Sequence, residues 1–404
     1  MGMLDILIYM VYFVSIFVTV FYYVTYSLEK DKIKSKVAKK NLPFVSVIAP
    51  AYNEGEKVIL SVESIKKLDY PQNKIEIVIV DDGSTDNTYE VAKSLVGKNI
   101  RAFTQKNKGK AAAVNLGIKK CKGELIVVLD ADTMMKEDLL RRAVPYFRDD
   151  PSVGIVVPTL KPYKPKKLLE KIQLVEYVIS AFNRKILSFI DSLPAASACS
   201  IFRASLFEKY GGFDEGNLTE DFEIALRTHK HGHRLVHLVD SYAHTYVPNT
   251  FKKLYRQRLR WGYGHFYNLK KHRLLFSSKY GDLGMFYLPL MLFTIGMAML
   301  FLFIMAFNLL DKLYNAIHNL FLVDFNLVYT GIDILGTITD LRIVLGLFIL
   351  GTALYLFRLA KKFTKEKRVN FITLFLFLLV YNFMITLVSV VALGHFMVGK
   401  KPRW

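Results

Sequence analysis

The stretch IEIVIVDDGS, residues 75–84, decides the fold. Ile75–Val80 is an almost unbroken apolar run without in–out alternation, the pattern of a strand buried on both faces. It breaks into Asp81-Asp82-Gly83-Ser84, a good turn sequence in its own right. Working outward, Val45–Ala49 predicts a strand and Glu54–Lys67 a helix, with Val58, Val62 and Ile65 on one face. Thr88–Leu95 predicts a helix, Ile100–Thr104 a strand, Lys110–Lys120 a helix and Leu125–Leu129 a strand that runs into Asp130. This alternation implies an α/β fold on a doubly wound, mainly parallel sheet, whose ligands bind beyond the carboxyl ends of the strands. The polar clusters Tyr52-Asn53-Glu54, Asp81–Ser84 and Asp130-Ala131-Asp132 all fall at such ends. No internal repeat or low-complexity segment interrupts the pattern.

The remainder of the chain points to a membrane. Of 404 residues 52% are hydrophobic, more than a soluble protein of this size usually carries. The formal charge is +20, but the basic residues cluster beside apolar stretches and no nucleic-acid-binding signature accompanies them. A membrane surface and a phosphate-bearing substrate account for the charge better than nucleic acid does. Cys121 and Cys199 lie apart in apolar or small-residue settings, implying neither a disulfide framework nor a zinc site.

Leu4 to Tyr26 is long enough to cross a bilayer core. Asp5 precedes the run and six lysines from Lys30 to Lys40 follow it, the opposite of a cleaved leader. The N-terminus is therefore expected outside and the next domain in the cytoplasm. Three further apolar runs, near 285–310, 341–359 and 371–398, are expected to span, giving a multi-pass cell-membrane protein. That count leaves Lys400, Lys401 and Arg403 outside, against the usual charge bias, unless Ile317–Ile338 holds a further crossing or a re-entrant helix. With the chain ending at Trp404, no C-terminal regulatory domain is expected. Between Lys164 and Ser192, Leu168, Ile172, Val175, Ile179, Phe182, Ile186 and Phe189 recur at helical spacing among cations. Periodicity alone suits a helix in the membrane interface or one packed on the soluble domain.

Several short clusters carry chemistry. Asp130 and Asp132 straddle Ala131, so on an extended segment both carboxylates leave one face and can meet one hard cation. Lys108-Gly109-Lys110 lacks the frame of a nucleotide-binding P-loop, but a turn before a helix that opens on a cation suits a phosphate. Thr219-Glu220-Asp221, taken alone, is a helix N-cap with acids in the first turn. Gln257-Arg258-Leu259-Arg260-Trp261 puts two arginines and an indole on one helix just before the chain turns apolar. His229, His231 and His233 lie at a helix end without a further Cys or carboxylate cluster, so no metal site is expected there.

Asp130-Ala131-Asp132, Thr219-Glu220-Asp221 and Gln-x-x-Arg-Trp at 257–261, in that order, resemble the signature of membrane-embedded family 2 glycosyltransferases. Cellulose, chitin, hyaluronan and poly-N-acetylglucosamine synthases form that group. The resemblance implies a GT-A-like domain inserted between transmembrane helices, with amphipathic interface helices. Its boundaries would be a first transmembrane helix at 1–28, the catalytic domain at 41–250 with an interface helix at 164–192, an interface segment at 251–284 and about three spans in 285–399. It implies an inverting, metal-dependent transfer from a nucleotide sugar, UDP-linked, to a growing β-linked polysaccharide. The alternative is a single transfer to a polyprenyl-phosphate or glycolipid, whose simple dolichyl-phosphate enzymes lack Gln-x-x-Arg-Trp. A non-enzymatic scaffold would be expected to have lost its carboxylates, which are all present.

Roles follow from the same resemblance. Mg²⁺ or Mn²⁺ would sit on Asp132, with Asp130 turned toward the nucleotide. Tyr52, Glu54, Asp81 and Asp82 would surround the base, and Lys110 and the segment ending at Asn115 would contact the nucleotide. Asp221 would be the general base, its setting shaped by Glu220 and Thr219. Arg260 and Gln257 would hold the diphosphate or the acceptor end. Trp261 would face the acceptor sugar, and the segment AASACSIFR, 195–203, resembles a small-residue acceptor site, with Cys199 and Ser200 as its variable members.

Overall fold

The computed structural model describes residues 3–322 and 341–402, and the chain divides into two compact units. The smaller comprises Met1–Leu28 and Pro289–Leu359 and the larger Glu29–Leu288 and Ala360–Trp404. The first element, α1 (Met3–Glu29), is a single apolar helix.

The larger unit is organised on a mixed sheet. In chain order its elements are β1 (Val45–Ala51), α2 (Lys57–Lys66), β2 (Ile75–Asp81), α3 (Thr88–Ser94), β3 (Ile100–Thr104), α4 (Lys110–Lys120), β4 (Leu125–Val128) and the short β5 (Met134–Met135). Then follow α5 (Leu139–Asp149), β6 (Val153–Pro162), α6 (Leu168–Phe189), β7 (Ser200–Arg203), α7 (Ser205–Tyr210), α8 (Glu220–Lys230), β8 (Arg234–Thr245) and α9 (Phe251–Lys271). The strand order is β3-β2-β1-β4-β7-β6-β8-β5. β3, β2, β1 and β4 run parallel, with Val45 opposite Ile75 and Ala51 opposite Asp81. β7 runs antiparallel to both β4 and β6, β6 and β8 are parallel, and β5 closes the edge antiparallel to β8.

Both faces of the parallel half are covered, which is why its strands are apolar without alternation. On one face Val47, Ile77 and Ile79 pack with Val62, Ile65 and Leu139; on the other, Ile48, Val78 and Val80 pack with Val114, Phe202 and Ile224. Each fully buried aliphatic side chain of this kind contributes about 1.5–3 kcal/mol.

The predicted amphipathic helix is α6, and its apolar stripe lies inside the protein. Ile172, Val175, Phe182 and Ile186 are buried, and the helix packs against β6 and β8. Leu168 at its start is exposed.

Beyond α9 come α10 (Leu288–Leu322), α11 (Leu341–Thr364), α12 (Phe371–Leu376) and α13 (Asn382–Met397), the last two joined through a π-turn at Phe377–Tyr381. Among the described residues four helical segments are long and apolar enough to cross a membrane: Ile6–Lys32, Leu283–His318, Val344–Thr364 and Phe371–Met397. The further crossing considered within Ile317–Ile338 falls mostly outside the described residues. In the larger unit, α12 packs on α6 and α13 packs along α9.

Candidate active site

A cavity of about 260 Å³ opens where β4 ends, lined by residues from many separate stretches of chain. β4 delivers Asp130 and Asp132, α4 opens with Lys110, α8 starts with Glu220 and Asp221, α9 presents Gln257, Arg260 and Trp261, and α6 runs along one side. β1 fixes the β4 end, since the Leu129 N–H donates to the Ile48 carbonyl at 2.9 Å.

Lys110 joins two of these stretches. Its ammonium lies 2.7 Å from Asp130 Oδ1 and 3.2 Å from Glu220. Burial pulls the Lys110 pKa down, but Asp130, Glu220 and Asp221 outweigh it and hold the group above the usual lysine range. It is placed by Gly109, which caps α4 with φ +91°, a backbone region that favours glycine. The loop is clamped by Asp82, whose carboxylate accepts from the Lys108 and Gly109 N–H groups at 3.0 and 2.8 Å and from Gln105 Nε2 at 2.7 Å.

Asp132 carries excess negative surroundings. Burial, then Asp130 and Glu54, push its carboxyl up to about 6 against the pull of Lys57. Such a site favours a cation. Among the described residues no group of three or more His, Cys, Asp or Glu side chains forms a metal cage. Two carboxylates on one turn fit Mg²⁺ or Mn²⁺ of the kind that draws its other oxygens from a substrate diphosphate and water.

Asp221 and Glu220 sit in the first turn of α8, where the helix N-terminus favours acids. Asp221 Oδ1 accepts from the Phe222 N–H at 2.9 Å, and its carboxylate lines the cavity. Burial raises the Glu220 pKa, Lys110 opposing. Thr219 is buried, its hydroxyl accepting from Asn268 Nδ2 of α9 at 2.9 Å. At the same crossing Gly264 of α9 lies against the Thr219 side chain so closely that a Cβ would overlap it.

On α9, Arg260 donates to the Leu218 carbonyl at 3.2 Å. Gln257 Oε1 is buried and has no hydrogen-bond donor among the described residues. This leaves an acceptor of Gln257 open to whatever occupies the cavity. Arg258 lies behind the cavity wall, donating to Glu176 at 2.6 Å and to the Tyr381 hydroxyl at 2.9 Å.

Several expected site residues stand elsewhere. Cys199, with no exposed surface and a φ of +71°, points into the core beneath the sheet, and Ser200 starts β7 with its hydroxyl accepting from the Ser197 N–H at 2.8 Å. The acceptor segment therefore faces the cavity through Ser197 and Ala198 instead. Asp81 accepts from Gly83 N–H at 3.2 Å, Ser84 N–H at 3.2 Å and Thr104 Oγ1 at 2.8 Å, so the turn reading of Asp-Asp-Gly-Ser accounts for it. Neither Asp81 nor Asp82 lines the cavity. Tyr52 stands exposed just past β1, and Glu54 pairs with Lys57 at 2.6 Å.

Sequence reasoning missed the contribution of α6. Glu176, Tyr177, Ser180 and Arg184 line the cavity, and Arg184 donates to the Ala196 carbonyl at 3.3 Å. The signal was present: Glu176, Ser180 and Arg184 are four residues apart and form one polar stripe on an otherwise apolar helix.

Residues 46–211 match the model of glycosyl transferase family 2. A poly-beta-1,6-N-acetyl-D-glucosamine synthase of Staphylococcus aureus is 30% identical over 245 residues, 59% of this chain and 58% of that protein. The enzyme of the same name from Staphylococcus epidermidis is 30% identical over 226 residues, 54% of each chain. The match thus spans little more than half the length of these relatives. Among solved structures, the mannosyltransferase PcManGT from Pyrobaculum calidifontis, in complex with GDP-Man and Mn²⁺, superposes with a TM-score of 0.58 at 18% identity, covering 96% of this chain and 99% of that one. That likeness establishes the GT-A-like fold.

Proposed function

We propose that the protein, whose residues 46–211 match the family 2 glycosyl transferase model, is an inverting enzyme that moves a sugar from a UDP-sugar to a growing β-linked polysaccharide at the membrane. The observation that carries the reading is the meeting of Asp130, Asp132, Asp221, Gln257, Arg260 and Trp261 in one cavity from three distant stretches of chain. Exposed Tyr52 stacks on the base, with Glu54 nearby in sequence. Lys110 and Arg260 hold the diphosphate, Arg260 through its planar fork of donors. Gln257, with its unpaired acceptor, holds a hydroxyl of donor or acceptor.

Asp130 and Asp132 would hold Mg²⁺ or Mn²⁺, which would offset the charge of the departing diphosphate. Asp221 accepts the proton of the acceptor hydroxyl as that oxygen attacks the anomeric carbon, and Glu220 and Thr219 fix its place. Trp261, Ser197 and Ala198 line the side on which the acceptor sugar lies. The catalytic domain is in the cytoplasm, between the first apolar helix and the later ones.

The test is product analysis: membranes containing the full chain, a panel of radiolabelled UDP- and GDP-sugars, and separate extraction of polymer and lipid. Polymer from a UDP-sugar supports the proposal. Label confined to the lipid fraction would replace it with single transfer to a lipid-linked acceptor.

A further inference from the structure

A second cavity, of about 350 Å³, lies in the larger unit and shares no lining residue with the first. Its walls come from the segment just after α1, from α5 and from the last turn of α6, with Arg234 and Val236 of β8. Five cations line it, Lys32, Lys34, Lys36, Lys185 and Arg234, against three acids. The acids are already paired: Glu29 with Lys32 at 2.8 Å, Asp149 with Lys36 at 2.9 Å and Asp150 with Arg234 at 2.8 Å. Lys34 and Lys185 have no ion-pair partner among the described residues, so the cavity keeps two uncompensated positive charges.

Lys185 is the informative one. It is only 2% exposed, and a buried ammonium normally has a carboxylate beside it. Here its protein acceptor is the His237 carbonyl at 3.2 Å, and it lies over the rings of Phe189 at 4.8 Å and Tyr146 at 6.0 Å. Burial pulls its pKa down to about 8, with Asp240 and Glu29 opposing. Two of its three N–H donors are left for something in the cavity. Ser188 adds a hydroxyl whose oxygen already accepts from the His237 N–H at 3.0 Å, leaving its proton to donate. Donors surplus to acceptors, unneutralised positive charge and apolar walls at Pro145, Tyr146 and Phe189 describe a receptor for an oxyanion joined to something apolar.

Chain continuity supplies the source. Glu29 ends α1 and Lys32 and Lys34 follow within five residues, so part of the cavity wall is built at the end of a helix long and apolar enough to cross a membrane. Anionic headgroups concentrate there. We propose that this cavity binds the phosphate of an anionic phospholipid headgroup, held by Lys185, Lys34 and Ser188. The proposal rests on α1 being a membrane span and is independent of the transferase chemistry.

The test uses the full chain in neutral detergent, with native mass spectrometry and thermal unfolding as readouts. The probes are dioctanoyl phosphatidylglycerol, dioctanoyl phosphatidylcholine and inorganic phosphate. Phosphatidylglycerol is expected to bind at least roughly fivefold tighter than phosphatidylcholine and to raise the unfolding temperature. Lys185→Met should abolish that preference while leaving UDP binding intact. Lys34→Glu, at an exposed position, should weaken it even if Lys185→Met fails to fold. Equal binding of the two lipids, or an undiminished preference in Lys34→Glu and Lys185→Met, overturns the proposal. Inorganic phosphate protecting as well as phosphatidylglycerol at equal concentration would make the occupant a free phosphate and overturn the lipid assignment.

Discussion

Arg258 and Trp261, one turn apart on α9, stack with the guanidinium carbon 4.1 Å from the indole centroid. The arginine is itself held from two other helical segments, by Glu176 and by Tyr381, whose hydroxyl also donates to Glu176 at 2.7 Å. One face of the indole is thus braced by the protein. Trp261→Ala is expected to keep UDP binding and hydrolysis of the donor while losing transfer to the acceptor, by about 1–3 kcal/mol if base–aromatic stacking is a guide. Tyr381→Phe should give a milder loss of transfer, with donor binding unchanged. Hydrolysis and transfer falling in parallel, with a lower melting temperature, would show the indole to be a structural anchor.

Asp132→Ala should remove the metal dependence of UDP binding and weaken it by at least about tenfold, since it takes away one of the two carboxylates proposed to hold the cation. Calorimetry with and without Mn²⁺ reads this directly. Full turnover in excess EDTA would sink the metal assignment.

Asp221→Asn keeps the shape of the α8 N-terminus but removes the proposed base. UDP binding should stay within severalfold of the native value while turnover falls by at least about 10²-fold. Abolished binding would instead make Asp221 a structural group.

Gly264→Ala places a methyl group into the Thr219 side chain, where α8 and α9 cross. Overpacking of this kind costs about 1–3 kcal/mol, and here it displaces the turn that carries Asp221. Lowered thermal stability together with lowered turnover is expected; an unchanged melting temperature would mean the helices cross less tightly than described.

Acid should destabilise the protein through buried histidines. Burial lowers the pKa of His229, which faces the Leu193 carbonyl at 2.8 Å, and lowers that of His237 further, with Arg184 and Lys185 adding to the effect. Groups depressed in the folded state contribute stability that is full above their unfolded pKa of about 6.5 and lost as pH falls below it. Unfolding midpoints measured from pH 7.5 to 5 should therefore drop, and a midpoint that rises on acidification would falsify the buried neutral state.

The parallel half of the sheet and most of the cavity were legible because one physical rule governs both: strands buried on two faces read as apolar runs, and the polar residues that interrupt them stand where ligands bind. Asp130 and Asp132 follow from that rule, whereas Lys110 follows from its place in a turn before a helix that opens on a cation. The antiparallel partner β7 was not, since Ser200–Arg203 is four residues long and carries no periodic signal. The same brevity hid its register, so Cys199 and Ser200 were placed in a cavity that Ser197 and Ala198 line. Arg184 was passed over because a cation on an amphipathic helix reads equally as a solvated charge, and only the packing of α6 on β6 and β8 turns it toward Asp221.

Gly262 on α9 faces Ala392 on α13 so closely that a Cβ on the glycine would press on the alanine methyl, with Leu259 and Val388 packed beside them. α13 belongs to the span Phe371–Met397, whereas the same stretch of α9 carries Gln257, Arg260 and Trp261. On the proposed function, a helix that tilts to match its hydrocarbon surroundings bears directly on the helix that presents Gln257, Arg260 and Trp261 to the cavity. Acyl-chain length becomes a control on turnover: reconstitution in thinner or thicker bilayers should change the rate with every cavity residue left as it is.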